Sequence, residues 1–184
     1  MVSDTDLGKN TEEDANAYSP EIAYRPKRNI RKHLEFTKDE GEIINSLRDT
    51  NDLGNKIYNV VFELSKLDLQ VHRYSIAYLY RTLIESSTIY LSQHQPKVVT
   101  DKTSLEASVT SALNYFATTS KKGGPSSHTV GTWRETVSKR KLIDTLNEYV
   151  HHELPVDAHF LQETWNTMKG YVIACLKTSG SGPK

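Results

Sequence analysis

Hydrophobic positions recur at helical spacing through most of the chain from about residue 37 onward. Between residues 72 and 96, for example, one stripe carries Ile76, Tyr80, Leu83, Ser87 and Tyr90. Steps of three and four residues place side chains on one face of an α-helix. No segment alternates apolar and polar residues for long, so no β-sheet is predicted. The pattern therefore predicts an all-α fold, a bundle of four to five helices.

The predicted helices have recognisable ends. Thr37, followed three residues later by Glu40, is the capping-box signature that begins the first helix. This segment is predicted to be one interrupted helix or two short ones, broken or kinked at Gly54 and the polar residues 49–52 before it, and ending near Leu67. Pro96 ends the next helix, because proline disfavours helical geometry in the residue before it. Three more helices are predicted, at 103–116, at about 132–152 and at about 157–177.

The last two predicted helices have clear inward faces and are joined by a turn at Pro155. Asp157 is a plausible N-cap for the second of them. The inward residues of the first are Leu142, Ile143, Leu146, Tyr149 and Val150, and those of the second are Leu161, Trp165, Met168, Val172 and Cys175.

The N-terminal residues 1–36 lack helical periodicity, so we expect a disordered or extended charged tail or linker before a helical domain at 37–177. Residues 178–184 are predicted to be a flexible C-terminal tail. A basic run in the N-terminal tail can contact phosphate, although charge runs in tails are commonly only solvated. The run consists of Arg25, Lys27, Arg28, Arg31 and Lys32.

Composition excludes several classes of protein. The 23 Lys and Arg residues balance 23 Asp and Glu residues, so nucleic-acid binding would have to be local. No apolar run approaches the roughly 20 residues that a membrane span requires. Cys175 is the single cysteine, which excludes an intramolecular disulfide and favours a reducing compartment. The acidic N-terminus is unlike a secretory signal, so a cytoplasmic location is predicted.

The densest polar chemistry lies near the end of the predicted helix 132–152. Arg140, Asp144, Asn147 and His151 follow at spacings of four, three and four, which predicts one polar stripe about 60° wide. Glu148 and His152 lie beside it. Eleven residues separate Arg140 from His151, about 16 Å along a helix, so these two cannot hold one phosphate within one subunit.

His151 is the best acid or base candidate, because imidazoles exchange protons near neutral pH. Asn147 lies one turn earlier and can grip the same ligand. The alternative interpretation is that the histidines only cap helix carbonyls. Arg81 and Glu85, four residues apart, are expected to form a surface ion pair.

Two or three imidazoles with a carboxylate suit zinc, which makes a site from His151, His152, Asp157 and His159 conceivable. The spacing matches no established motif, so no metal is predicted. The glycines of the loop 118–132 lack the strand-then-helix context of a phosphate-binding loop, and no cofactor is predicted.

The segment LNEYVHHELP, followed by a helix with Trp165 and preceded by LYRTLIESS, resembles the HEPN superfamily over residues 40–177. The resemblance is to HEPN-like domains found C-terminal to ParB-like or nuclease domains in bacterial defence loci. HEPN ribonucleases carry Arg, a polar residue, three further residues and His. Asn147 and His151 match the polar residue and the His, whereas Leu146 occupies the Arg position.

The resemblance implies a homodimer with the two His motifs facing each other, and an RNA-contacting module in antiviral defence or a toxin–antitoxin system. Loss of the motif Arg implies that the domain is catalytically degenerate, because a phosphate-binding guanidinium is missing. One alternative is a metal-independent endoribonuclease that uses His151 with Arg81 or Arg140 of the second subunit. A second alternative is a helical adaptor, with residues 1–36 leading to a protein partner or a fused domain.

Overall fold

Seven α-helices, with no strand, make up the part of the chain that the computed structural model describes, residues 34–50, 52–101, 103–120, 123–151 and 154–177. This confirms the predicted all-α fold. Of the predicted tails at 1–36 and 178–184, residues 1–33, with the basic run, and 178–184 lie outside the described residues. The last part of the N-terminal tail differs from the prediction, because Leu34 is buried in the core and Phe36 packs against it. The helices are α1 (Lys38–Asn45), α2 (Asp52–Leu64), α3 (Arg73–His94), α4 (Leu105–Thr119), α5 (Ser127–Ser138), α6 (Leu142–Val150) and α7 (Ala158–Lys177).

The first predicted helix is divided into α1 and α2. The capping box that begins α1 is confirmed: the Thr37 backbone N–H donates to Glu40 Oε2 at 2.7 Å, and Thr37 Oγ1 accepts from the Glu40 N–H at 3.4 Å. The break lies in the polar stretch predicted for it and not at Gly54, which is buried inside α2. The chain instead leaves the helix after Asn45 and turns at Asp49, which has a positive φ of 60°.

Helix α3 is central and packs against α2, α4, α6 and α7. Its predicted core stripe is buried, and Tyr80 and Leu83 have no exposed surface. Trp165 of α7 contacts Phe36 and Tyr80 edge-on, with ring centroids 5.0 and 5.4 Å apart. Edge-to-face packing of this kind adds to the stability that burial of the rings provides.

The predicted helix 132–152 is two helices, α5 and α6. The turn between them contains Lys141, whose φ of 49° lies in the left-handed region. In one continuous helix the buried residues of the two halves would point to nearly opposite sides, because each residue advances about 100°. The break lets both faces reach the core. These buried residues are Val130, Trp133 and Val137 in α5, and Leu142, Ile143, Leu146 and Tyr149 in α6.

Helix α7 follows the turn at Pro155 as predicted. Asp157 Oδ1 accepts a hydrogen bond from the His159 backbone N–H at 2.8 Å, which is how an N-cap side chain satisfies a free donor of the first turn. The predicted inward face of α7 is buried along its length, from Leu161 to Cys175. Within the described residues, no helix combines the length and apolar character that crossing a membrane requires.

Candidate functional site

The candidate site lies where α3 meets α6. Arg81 of α3 donates from Nε to Asn147 Oδ1 of α6 at 2.6 Å, joining residues 66 positions apart. The same guanidinium donates from Nη1 to Glu85 Oε2 at 3.1 Å, which is the ion pair expected from the sequence. The Arg81 side chain is 29% exposed and that of Glu85 is 43% exposed. The guanidinium is therefore oriented by two partners and still reaches solvent.

His151 lies at the end of α6, one turn after Asn147. Its backbone N–H donates to the Asn147 carbonyl at 2.9 Å, so this residue is the C-cap of the helix. The residue is exposed. An exposed imidazole at the end of a helix is accessible to a ligand.

Leu146, which the sequence resemblance aligns with the Arg of HEPN ribonucleases, is fully buried. Residues five apart on a helix point about 140° apart, so positions 146 and 151 face different surroundings. A guanidinium at 146 would be placed in the core rather than beside His151. The cation beside Asn147 in this chain comes from α3 instead.

Arg140 does not belong to this site. It lies in the turn before α6, so the predicted stripe running from Arg140 to His151 on one helix is wrong. Its Nη1 donates to Glu163 Oε2 of α7 at 3.1 Å, and His159 Nδ1 lies 3.8 Å from the same oxygen. Both partners of the Arg140–Glu163 pair are 48% exposed, which is typical of a surface ion pair.

The other predicted binding residues are more dispersed. Asp144 is exposed in the first turn of α6, and Glu148 is partly buried. His152 lies outside the described residues. Among the residues that the structure describes, no group of three or more His, Cys, Asp or Glu side chains could hold a metal ion.

An apolar groove with a volume of about 610 Å³ is lined by Tyr78, one helical turn before Arg81, and by Val150, one turn after Asn147. It is formed by α2, α3 and the end of α6, and it was not predicted from the sequence. The available signal was that Tyr74, Tyr78, Arg81 and Glu85 follow at spacings of four, three and four on α3, away from the core stripe. The groove is lined by Phe62, Glu63, Lys66, Leu67, Tyr74, Ser75, Tyr78, Leu79, Tyr149 and Val150.

Comparison of the chain with protein-family models, curated proteins and solved structures finds no match. The resemblance to the HEPN superfamily therefore stays a prediction that depends on the residues themselves.

Proposed function

We propose that this chain is a HEPN-like dimerisation module that contacts RNA through Arg81 and is catalytically degenerate, acting in bacterial defence or a toxin–antitoxin system. The observation that carries the proposal is the 2.6 Å hydrogen bond from Arg81 to Asn147. It supports an RNA contact because an oriented, partly exposed guanidinium, bonded to Asn147 one helical turn before the exposed His151, matches the chemistry that binds phosphate.

Glu85 supports the non-catalytic form of this proposal. Its carboxylate accepts from Arg81 and offsets the guanidinium charge within one subunit. A cutting site needs that charge for the developing negative charge on the scissile phosphate. Arg81 keeps its positive charge and can still donate to a phosphate, but its pairing with Glu85 lowers what it contributes to stabilising a developing negative charge.

RNA binding is tested by fluorescence anisotropy of a labelled 20-nucleotide RNA at several salt concentrations. We expect Arg81→Ala to weaken binding about 10- to 100-fold, the effect of losing a charge-assisted hydrogen bond. Arg134→Ala is the matched control. Arg134 also donates to an asparagine oxygen, Asn114 Oδ1, at 2.9 Å, but it belongs to α5 and not to the proposed site. Equal affinities for Arg81→Ala and wild-type protein would contradict the proposed contact.

The dimer is tested by light scattering of the full chain at micromolar concentration. We expect a mass of twice 20.9 kDa. His151→Glu would place like charges near the two-fold axis and should dissociate the dimer. His128→Glu, at an exposed position of α5, is the control and should leave the mass unchanged. A monomeric wild-type protein would overturn this part of the proposal.

The same geometry supports a second candidate, a metal-independent endoribonuclease. Arg81 stands next to Asn147 within one subunit, so the cation need not come from a second copy. This candidate predicts RNA cleavage in the presence of EDTA that is lost in both His151→Ala and Arg81→Ala. No cleavage by the wild-type protein would exclude it and leave the binding module.

A further inference from the structure

Two stacked aromatic rings of α2 are flanked by cations from just before and just after the helix. The Arg48 guanidinium lies 5.8 Å from the centroid of the Tyr58 ring. Tyr58 and Phe62 are stacked, with centroids 6.4 Å apart and planes inclined by 19°. Lys66 Nζ then lies 5.0 Å from the Phe62 centroid. The order along the chain is therefore cation, ring, ring, cation.

Two more rings line the 610 Å³ groove together with Phe62 and Lys66 of this row. Tyr74 and Tyr78 belong to α3 and are 46% and 56% exposed, and Phe62 is 53% exposed. Half-exposed rings grouped at one place on a surface mark a binding site more often than isolated exposed residues do. Leu67 and Leu79 line the groove between them and provide an apolar base.

The charges at the groove indicate the kind of partner. Lys66 stands at one side, and Arg81 follows Tyr78 by one turn on the same face of α3. Flat apolar surfaces bordered by cations match a strand of unpaired nucleotides, whose bases stack on rings and whose phosphates meet Lys and Arg. Glu63 also lines the groove, and a carboxylate can accept hydrogen bonds from the amino groups of bases.

We propose that this groove binds unpaired bases of single-stranded RNA, stacked on Phe62, Tyr74 and Tyr78. The inference rests on the proposed function, because the strand in the groove is the RNA whose phosphate Arg81 contacts. It adds a requirement that the phosphate contact does not have. The RNA must be single-stranded, since paired bases cannot reach the rings.

The test is fluorescence anisotropy with a labelled 12-nucleotide oligouridylate and with a duplex RNA of the same length. Removing one stacking ring lowers the affinity for the single strand on the order of tenfold. We expect this loss for Tyr78→Ala and for Phe62→Ala, with the weaker binding to the duplex unchanged. Tyr78→Phe keeps the ring and should keep the affinity. Val99→Ala, at a residue that is 68% exposed and does not line the groove, is the control.

The outcomes separate this inference from the proposed function. Wild-type affinity in both ring variants, with weaker binding only in Arg81→Ala, overturns the groove and leaves the proposed function in place. Weaker binding in the ring variants with wild-type affinity in Arg81→Ala supports the groove and overturns the proposed phosphate contact. Absence of RNA binding by the wild-type protein overturns both.

Light scattering of the same variants distinguishes a protein partner. We expect the mass of Tyr78→Ala and Phe62→Ala to equal that of the wild-type protein. A fall from dimer to monomer in these variants would identify the groove as a contact between copies of the chain, and the proposal for bases would be overturned.

Discussion

Tyr78 and Tyr80 are two residues apart on α3 and have opposite surroundings. Tyr80 has no exposed surface and packs edge-on against Trp165 at 5.4 Å, whereas Tyr78 is 56% exposed and lines the groove. Two residues turn a helix by about 200°, so the two rings point to nearly opposite sides. One side of α3 builds the core and the other carries half-exposed rings that line the groove, although the residue type is the same.

The largest expected effect of this difference is on stability. Tyr80→Ala should lower the free energy of unfolding by about 3–5 kcal/mol, the usual cost of removing a large buried aromatic side chain. Tyr78→Ala should change it by no more than about 0.5 kcal/mol, because no core contact is lost. Urea denaturation of both variants measures this, and similar losses in the two would mean that Tyr78 is buried in solution.

A smaller effect is expected at alkaline pH. Burial raises the pKa of the Tyr80 phenol above its ordinary value of 10.0, so the unfolded chain releases this proton before the folded protein does. The protonated Tyr80 phenol contributes its full stabilisation below the pKa that it has in the unfolded chain. This stabilisation is lost as the pH rises toward the higher pKa that the phenol has in the folded protein. Between pH 9 and pH 11 the wild-type protein should lose about 1 kcal/mol more than Tyr80→Phe.

This pH dependence is measured by urea denaturation of both proteins at the two pH values. At pH 7 to 9 the difference in stability between them should be constant, because the phenol is protonated in both states of the wild-type chain. If the wild-type protein and Tyr80→Phe lost the same unfolding free energy up to pH 11, the Tyr80 hydroxyl would be accessible to solvent.

The smallest effects concern the two arginines considered for the site. Arg81→Ala should cost about 1 kcal/mol, because it leaves the partly buried Asn147 without its partner. Arg140→Ala should cost no more than about 0.5 kcal/mol, because the Arg140–Glu163 pair is exposed. Double-mutant cycles with Asn147→Ala and Glu163→Ala measure the two couplings. A coupling energy for Arg140–Glu163 larger than that for Arg81–Asn147 would contradict this prediction.

Much of the core could be predicted from local spacing. The stripe Ile76, Tyr80, Leu83, Ser87 and Tyr90 is buried throughout. A helix has a fixed turn per residue, so apolar positions in one segment are sufficient to identify its inward face. The Thr37–Glu40 capping box and the Asp157 cap were predictable for the same reason, since each involves residues only two or three positions apart.

The break at Lys141 was missed although the sequence contains a signal for it. The apolar positions of 130–137 and 142–149 are out of phase for one continuous helix, and no glycine or proline marks the change. Helix propensity favoured one continuous helix through this segment. Burial of both apolar faces outweighed that preference, although it requires Lys141 to adopt a left-handed backbone conformation. This break separates Arg140 from Asn147, so it also changed the candidate site.

The sequence alone determined that this protein is helical and which side of most helices faces inward, because both properties follow from contacts within one segment. The tertiary structure decided that Arg81 meets Asn147, that Arg140 pairs with Glu163, and that Tyr78 lines a groove beside Phe62. Each of these contacts joins different elements of the fold. Their positions depend on how the helices pack against α3, and periodicity within one segment carries no information about that packing.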